Sequence, residues 1–267
     1  MINGQFQSID LPVKLFELTG NDMPHQTLFF QLTKRTLLDR YRGSYIGVTW
    51  VLLYPLSMVA IYTFVFGEML QAKWTTTDDA GSVALPFSIS VFCGLLIFLN
   101  VAEVLSKAPV SISSQLSYVK RVKFPLMLIA WVDVTIALLH AVAAWAVLCV
   151  IAWMLGVSIS GFALLIPFLL ASLIPVLVAL HWLIGAVAVY LRDIEQVITP
   201  FLTFVLFLSP VFYTVDSANP SISVYLFVNP LTLWMEGARG LLTGDLSLFD
   251  GRTFGAYVVV SAVLMAF

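Results

Sequence analysis

Charged side chains are scarce in this 267-residue sequence, where they make up 10% of the chain against 60% for hydrophobic residues. Soluble domains typically carry about 25% charged residues, because a folded domain must present a wettable surface to water. The composition therefore excludes an ordinary soluble domain and favours a protein embedded in lipid. The apolar runs are continuous rather than alternating, and several approach the roughly 20 residues with which a helix crosses a bilayer. Because lipid leaves backbone polar groups to be satisfied internally, we expect membrane-spanning helices rather than the alternating strands of a barrel.

Motifs of common nucleotide-binding sites and hydrolases are also missing. The sequence contains no GxxxxGK[ST] loop, no GxGxxG fingerprint, and no HExxH, CxxC or GxSxG motif. Its two cysteines, Cys93 and Cys149, lie in apolar runs and are interpreted as small hydrophobic residues rather than as a disulfide or a metal site. The polar N-terminus lacks the basic and apolar regions of a cleavable signal peptide. We expect no catalytic residues, no metal and no cofactor in this chain, and hence no enzyme.

Six apolar runs predict an all-α, polytopic integral membrane protein with six transmembrane helices. Their approximate bounds are 46–66, 85–105, 127–155, 162–190, 197–215 and 254–267. The last run would form a helix of roughly 21 Å, whereas the hydrocarbon core of a bilayer is about 30 Å thick. Either this helix begins before Arg252 or the sequence stops inside its sixth span, and we favour the second.

The distribution of Lys and Arg predicts the orientation of these helices, since cytoplasmic loops carry the excess of positive charge. One set of segments holds ten such residues: Lys14, Lys34, Arg35, Arg40, Arg42, Lys107, Lys120, Arg121, Lys123 and Arg192. The opposite set holds three: Lys73, Arg239 and Arg252. This asymmetry places the N-terminus in the cytoplasm and the loops 67–84, 156–161 and 214–253 outside.

A helix is predicted over residues 24–43, between an N-terminal segment (1–23) and the transmembrane domain (44–267). Pro24, which follows Asn21 and Asp22, suits a helix start. On a helical wheel the polar side holds Gln31, Lys34, Arg35, Asp39 and Arg42, and the apolar side holds Phe29, Phe30, Leu32, Leu37 and Tyr41. We predict a basic amphipathic helix in the headgroup plane. The alternative is an ordinary solvated flank that obeys the positive-inside rule.

The segment 219–247, between the fifth and sixth spans, is too apolar for an open loop. It is interrupted by Asn229-Pro230 and by Gly237, Gly240 and Gly244. Broken apolar pieces of this kind are typical of short re-entrant helices that pack against protein at membrane depth. The spacing of Gly240 and Gly244 also suits a close contact between helices.

Two predicted spans carry aromatic residues at helical spacing. They are Trp50, Tyr54, Tyr62 and Phe66 in the first span and Phe201, Phe204, Phe212 and the adjacent Tyr213 in the fifth. Aromatic faces stack on the apolar faces of sugar rings. These residues therefore predict a conduit along which a glycan slides. The alternative is that they pack against helices or lipid, and Trp and Tyr near span ends also anchor membrane interfaces.

Four ionisable residues lie within the predicted spans, and such residues are functional candidates by default. Asp133 lies about two turns before His140, near the same helix face, while Glu103 lies near the cytoplasmic end of its span. For His140 and His181 the favoured interpretation is that they are neutral, hydrogen-bonded packing residues. A proton-coupled carrier built on these four residues would need no ATPase partner, but no internal repeat supports it.

Four segments, taken in chain order, carry a recognisable pattern. They are LTKRTLLDRYRGSYIGVTWVLLYPLSMVAIYTFVF (32–66), YVKRVKFP (118–125), VYLRDIEQVITPFLTFVLFLSPVFYTVD (189–216) and NPLTLWMEGARGLLTG (229–244). The first combines a basic interfacial helix, Gly-Ser, a Gly-x-x-Trp motif and a proline in the first span. In this order and spacing, the segments resemble the type-2 ABC exporter permeases that move polysaccharides. The most similar subgroup is the O-antigen (lipopolysaccharide) permease, with capsule and teichoic-acid permeases as near relatives.

The resemblance implies a channel-forming permease of the bacterial inner membrane, which exports a polysaccharide linked to undecaprenyl diphosphate. Such a permease is a homodimer paired with two copies of a separate ABC ATPase, in which ATP and magnesium bind. It contacts membrane lipids and no nucleic acid. A membrane-embedded enzyme acting on lipid-linked sugars is a weaker alternative, since Asp78-Asp79 is the only adjacent acidic pair and lies in a loop-like stretch.

The resemblance also assigns roles to particular residues. The helix 24–43 would lie near a lipid entry gate, where a diphosphate would be attracted by Lys34, Arg35, Arg40 and Arg42. The cytoplasmic segment 106–119 would hold a coupling helix that sits in the ATPase, through Ser111, Ser114, Gln115 and Tyr118. The turn Arg192-Asp193 would be a further contact with the ATPase. We also expect Asp193 to cap the fifth span, because the N-terminal dipole of a helix favours an anion.

Overall fold

The computed structural model describes residues 25–41, 45–62, 64–65, 69, 86–111, 127–191, 193–213 and 229–245. Every regular element within these ranges is helical, which confirms the all-α class for this part of the chain. The α-helices are α1 (His25–Tyr41), α2 (Trp50–Tyr62), α3 (Phe87–Ser111), α4 (Met127–Met154), α5 (Ile166–Ser172), α6 (Ile174–Tyr190), α7 (Ile194–Leu208) and α8 (Pro230–Thr243). Two short 3-10 segments, Gly47–Thr49 and Gly161–Leu165, precede α2 and α5.

Three helical stretches are long and apolar enough to cross a membrane, judged by length and composition: Phe87–Ser111, Met127–Met154 and Gly161–Tyr190. They fall in the predicted second, third and fourth spans. The helices α2 and α7 fall in the first and fifth spans and are apolar but shorter. The sixth predicted span, 254–267, lies outside the described residues, so the number of six spans stays a prediction.

Helix α3 lies at the centre of the bundle and packs against α2, α4, α6, α7 and α8. Its sequence is apolar around most of its circumference, and such a helix is buried on all sides rather than along one stripe. Phe92, Ile97 and Val104 lie in its fully buried part. The helix continues to Ser111, past the predicted end of the span at 105. It therefore connects the protein core directly to the first residues of the predicted coupling segment.

The predicted fourth span is interrupted in the structure. Its residues form the 3-10 segment, α5 and α6, with a break at Leu173. Pro175 in the first turn of α6 explains the break, because proline has no backbone N–H and its ring clashes with the carbonyl four residues earlier. Proline is well tolerated in the first turn of the new helix, where an N–H would have no partner within the helix.

Helix α8 occupies the predicted re-entrant segment and begins and ends at residues with clear local causes. The Asn229 side chain caps it by accepting a hydrogen bond from the Leu231 backbone N–H at 3.0 Å, and Pro230 is the first helical residue. Gly244 ends it in the left-handed conformation (φ 85°), with its N–H bonded to the Gly240 carbonyl at 2.8 Å. Gly240 and Gly244 therefore close the end of α8, and an added Cβ at Gly244 would lie 3.1 Å from Ser160 Oγ. The expected role of the two glycines in a contact between helices stays a prediction. The assignment of α8 as re-entrant stays a prediction.

Candidate functional site

A cavity of about 270 Å³ lies between α1, α2, α3 and α4. Its walls are mainly apolar and aromatic, and they include Trp50, Tyr54, Met58, Phe92, Leu96 and Leu99. Its polar lining residues include Arg40, Tyr41, Glu103 and His140. The cavity thus combines an aromatic wall with charged groups contributed by three helices.

These charged and polar groups form one connected set with Lys107, the Glu103 cluster, which consists of Arg40, Tyr41, Glu103, Lys107 and His140. The Glu103 carboxylate is paired with the Arg40 guanidinium, with Lys107 Nζ at 2.9 Å and with His140 Nδ1 at 3.0 Å. The Tyr41 hydroxyl lies 2.9 Å from His140 Nε2. The neutral tautomer with its proton on Nδ1 donates to Glu103 and accepts from Tyr41 through Nε2, while Arg40 Nη1 lies 3.4 Å from Nδ1.

The Glu103 cluster fastens α1 to the bundle. Arg40 and Tyr41 belong to α1, Glu103 and Lys107 to α3, and His140 to α4. Burial raises the pKa of Tyr41 above its ordinary value, so its hydroxyl keeps its proton at neutral pH and remains a donor. Through Arg40 and Tyr41, the last turn of α1 contacts one carboxylate and one imidazole of the bundle.

A second carboxylate–histidine pair joins α4 to α6. Asp133 Oδ2 lies 3.1 Å from His181 Nε2, and the His181 side chain is buried. The four ionisable residues noted in the sequence are therefore divided between two sites. Asp133 does not pair with His140 on its own helix, because each of the two bonds to a neighbouring helix instead.

The predicted gate residues differ in their surroundings. Lys34 is exposed, and Arg35 forms a surface ion pair with Asp39 at 3.3 Å. Arg40 is 42% exposed at its side chain while it is paired with Glu103. Arg42 lies outside the described residues. Leu28 and Thr33 are buried on α1, whereas Phe30, which the helical wheel assigned to the apolar side, is exposed. The amphipathic, interfacial character of this helix stays a prediction.

The predicted conduit residues fall into two groups. Trp50 and Tyr54 line the cavity, and Tyr62 packs against Phe92 with ring centroids 6.4 Å apart. Phe201 and Phe204 are exposed on α7, while Phe212 and Tyr213 are half-buried in the turn that follows this helix. None of the described α7 aromatic residues lines the cavity. The described part of a single chain therefore does not bring the two groups into one site. Phe66 lies outside the described residues.

Only two of the predicted ATPase-coupling residues fall in the described ranges. Ser111 is the last residue of α3, and its hydroxyl donates to the Ala108 carbonyl at 2.8 Å. Asp193 precedes α7 as its N-cap residue, but its side chain accepts no capping hydrogen bond. The positions Ser114, Gln115, Tyr118 and Arg192 lie outside the described residues.

The expected capping role of Asp193 is therefore wrong in its detail. The residue has helical backbone angles (φ −70°, ψ −10°) rather than the extended angles with which a cap side chain reaches the following amides. Its backbone carbonyl accepts from Gln196 N at 3.0 Å and from Val197 N at 3.2 Å. The acidic side chain in the first turn of α7 is that of Glu195, which is favourably placed for the helix dipole.

The chain matches a known protein family and a named relative. Residues 27–243 match the model of the ABC-2 type transporter family, a stretch that begins in α1 and ends with α8. The chain is also similar to the O-antigen export system permease protein RfbA of Myxococcus xanthus, with 23% identity over 243 residues. This similarity covers 90% of the chain and 89% of that protein. The family match overlaps every α-helix described above and spans most of the chain. The chain is therefore a member of the ABC-2 type transporter family, as its four characteristic segments predicted.

Proposed function

We propose that this chain is the channel-forming permease subunit of an ATP-driven exporter. Its substrate is a polysaccharide carried on undecaprenyl diphosphate, and O antigen is the first candidate. The observation that carries the proposal is the similarity, over 90% of the chain, to a protein named as an O-antigen export permease. Capsular polysaccharide and teichoic acid are the other candidate substrates.

The energy for export comes from a separate subunit in this proposal, since the sequence holds no phosphate-binding loop motif. Two copies of the chain pair with two copies of an ABC ATPase, in which ATP and magnesium bind. The segment 106–119 and the turn Arg192-Asp193 contact the ATPase. Ser111 lies about two turns beyond Glu103 on α3. A displacement of the coupling segment would therefore reach the Glu103 cluster along one continuous helix.

The orientation follows from the distribution of Lys and Arg. With the N-terminus in the cytoplasm of a bacterial cell and the spans in its inner membrane, α1 and the Glu103 cluster lie toward the cytoplasmic side. The turn after α7 and helix α8 then lie toward the outer side. Each end of α3 faces a different compartment.

The entry of the lipid is proposed to occur beside α1. A diphosphate group accepts charge-assisted hydrogen bonds from guanidinium groups, as the Glu103 carboxylate does. Because the Arg40 side chain is partly exposed, a diphosphate competes with Glu103 for it. Lys34 and Arg35 add positive charge on the same helix. In this mechanism α1 stays fastened while the entrance is empty and loosens when the lipid diphosphate binds Arg40.

The glycan then passes along aromatic side chains contributed by both copies of the chain. Phe201 and Phe204 are exposed on a single chain, although they belong to an apolar helix. Trp50 and Tyr54 present a second aromatic surface at the cavity. Aromatic faces can stack on any sugar ring of the glycan, and this suits a long substrate that must slide rather than bind tightly.

The proposal is tested in a cell that makes the lipid-linked glycan but lacks its exporter. The chain is expressed with its candidate partner ATPase, and surface glycan is measured by labelling intact cells. A partner ATPase that binds but does not hydrolyse ATP is the matched control. We expect surface glycan only with the active ATPase, and much less when Lys34, Arg35, Arg40 and Arg42 are all replaced by Gln at normal membrane insertion. Equal surface glycan with the inactive ATPase would contradict the proposal.

A further inference from the structure

The most completely hydrogen-bonded charged side chain among the described residues lies far from the Glu103 cluster. Arg239 on α8 is 6% exposed at its side chain, and its three nitrogens make five hydrogen bonds. A guanidinium group has five N–H donors, so this side chain is fully used. A buried charge that is satisfied this completely holds its acceptors in one arrangement.

The acceptors of Arg239 come from three parts of the chain. Nε donates to the Ser90 carbonyl at 3.1 Å, in the first turn of α3, and Nη1 donates to Glu236 Oε1 at 2.8 Å, one turn earlier on α8. The other acceptors are backbone carbonyls of the turn 209–213: Pro210 at 2.7 Å, Val211 at 3.0 Å and Tyr213 at 3.3 Å. We call Ser90, Pro210, Val211, Tyr213, Glu236 and Arg239 the Arg239 cluster.

The turn 209–213 also contacts Asn229 and the helix α3. The Asn229 side chain donates to Ser209 Oγ at 2.9 Å, so the N-cap residue of α8 holds this turn as well as Arg239. Gly94 of α3 faces it without a side chain: an added Cβ would lie 2.7 Å from Arg239 Nη2 and 3.1 Å from Val211 Cα. The close approach of α3, the turn and the guanidinium therefore requires glycine at position 94.

Two aromatic residues of the proposed conduit belong to this turn. The Phe212 ring packs against Phe207 of α7 with centroids 6.0 Å apart, and the Tyr213 carbonyl accepts from Arg239. In the proposed orientation, the turn lies where the conduit opens to the outer side. The guanidinium bonds to the backbone that carries both rings. Arg239 itself is not proposed to bind the substrate.

We infer that Arg239 is the positioning residue for the exit of the conduit, a role that rests on the proposed function. By holding the turn 209–213 against the first turn of α3, it keeps Phe212 and Tyr213 where they seal the exit against small solutes between transport cycles. Glu236 orients the guanidinium, and Gly94 leaves room for it. Loss of these contacts frees the turn, and the resting transporter then leaks.

The test uses the whole transporter, permease and ATPase together, reconstituted in vesicles loaded with a small fluorescent anion. Leak is measured without ATP and without glycan, and ATP hydrolysis and the yield of folded complex are measured on the same preparation. The series Arg239, Arg239→Lys and Arg239→Met offers five, three and no donors at this position. Gly94→Ala pushes on the guanidinium from α3, and Gly161→Ala, where an added Cβ meets nothing within 4 Å, is its matched control.

We expect the leak to rise about tenfold in Arg239→Lys, because hydrogen bonds from a charged donor are lost, and further in Arg239→Met. Gly94→Ala should leak and Gly161→Ala should not, with ATP hydrolysis retained in Arg239→Lys and Gly94→Ala. Leak at the wild-type level in both of those variants would overturn the inference. So would a parallel loss of folded yield and ATP hydrolysis in both, which indicates a general structural role. Because the leak needs neither glycan nor ATP, its outcome is independent of whether the wild-type complex exports a polysaccharide.

Discussion

The two charged clusters lie near opposite ends of the same helix and are built differently. Ser90 and Glu103 are thirteen residues apart on α3, or about 20 Å along its axis. The Arg239 side chain is 6% exposed, and most of its acceptors are backbone carbonyls. In the Glu103 cluster the partners are side chains, and Arg40 is 42% exposed.

This difference separates a fixed contact from an exchangeable one. Backbone carbonyls in a packed turn have no alternative position, whereas the side chain of Arg40 can leave Glu103 for another anion or for water. Burial also raises the cost of an unmatched charge, while exposed ion pairs contribute little to stability. The Arg239 cluster thus suits a permanent positioning role, and the Glu103 cluster suits the exchangeable contact that the proposed mechanism assigns to it.

The largest effect is expected from Arg239→Met. Removing one partner of a buried, hydrogen-bonded ion pair typically costs about 3–5 kcal/mol, and this change also removes the donors to Pro210 and Val211. Thermal unfolding of the purified complex in detergent measures it. The double variant Glu236→Gln with Arg239→Met should recover part of the loss, since it no longer buries an uncompensated carboxylate. If Arg239→Met alone were as stable as the wild type, the two clusters would not differ in the way described.

A smaller effect is expected from Glu103→Gln. The substitution keeps the shape and removes the charge that holds Arg40 and Lys107, at a cost of about 1–2 kcal/mol after allowance for solvent screening. The loss should be local, with faster amide hydrogen exchange in α1 and unchanged exchange in α8. If α8 exchanged faster as well, the two clusters would not act separately.

Tyr41→Phe should loosen α1 by about 1 kcal/mol, because it removes one neutral hydrogen bond to His140. Burial raises the pKa of Tyr41, so the folded state favours the neutral phenol. Its contribution is present below the ordinary phenol pKa of about 10 and is lost as the pH rises through the higher pKa of the folded state. The difference in unfolding free energy between wild type and Tyr41→Phe should therefore shrink above about pH 10. Tyr190→Phe, at an exposed tyrosine, is the control. A difference that grows with pH would contradict the assigned contact.

The smallest effects compare two N-cap residues. Asn229→Ala should weaken the first turn of α8 by about 1 kcal/mol, since it removes a capping hydrogen bond. Asp193→Ala should change stability by less than about 0.5 kcal/mol, because its side chain makes no such bond. Amide exchange in the first turns of α8 and α7 measures both. An equal loss in the two variants would restore the capping role that the sequence assigned to Asp193.

The composition and the apolar runs were sufficient to predict the all-α class and the placement of the long helices. The local pattern Asn229-Pro230 marks where α8 begins, since both residues act within one turn of the helix. The four family segments were sufficient to predict membership of the ABC-2 type transporter family. These predictions succeed because each depends on residues that are close together in the sequence, or on the order of segments along it.

The charged clusters were beyond the reach of the sequence. Arg40 and Glu103 are 63 residues apart, and Arg239 and Ser90 are 149 apart. Their contacts depend on how α1, α3 and α8 pack, which hydrophobic periodicity does not specify. Glu103 was visible as a carboxylate in an apolar span, but Arg239 contributed only to the count of positive charges. The case of Asp193 shows the same limit at short range, because a favourable residue type does not fix the backbone angles that a cap needs.

The central claim, that this chain is a permease driven by a separate ATPase, is tested most directly by transport in reconstituted vesicles. The chain is purified with its partner ATPase, and the movement of lipid-linked glycan across the bilayer is measured with ATP, without ATP, and with a pH gradient alone. We predict transport only with ATP and only when the ATPase is present. Transport by the chain alone, driven by the pH gradient, would contradict the claim and would favour a proton-coupled carrier that uses the Glu103–His140 and Asp133–His181 pairs.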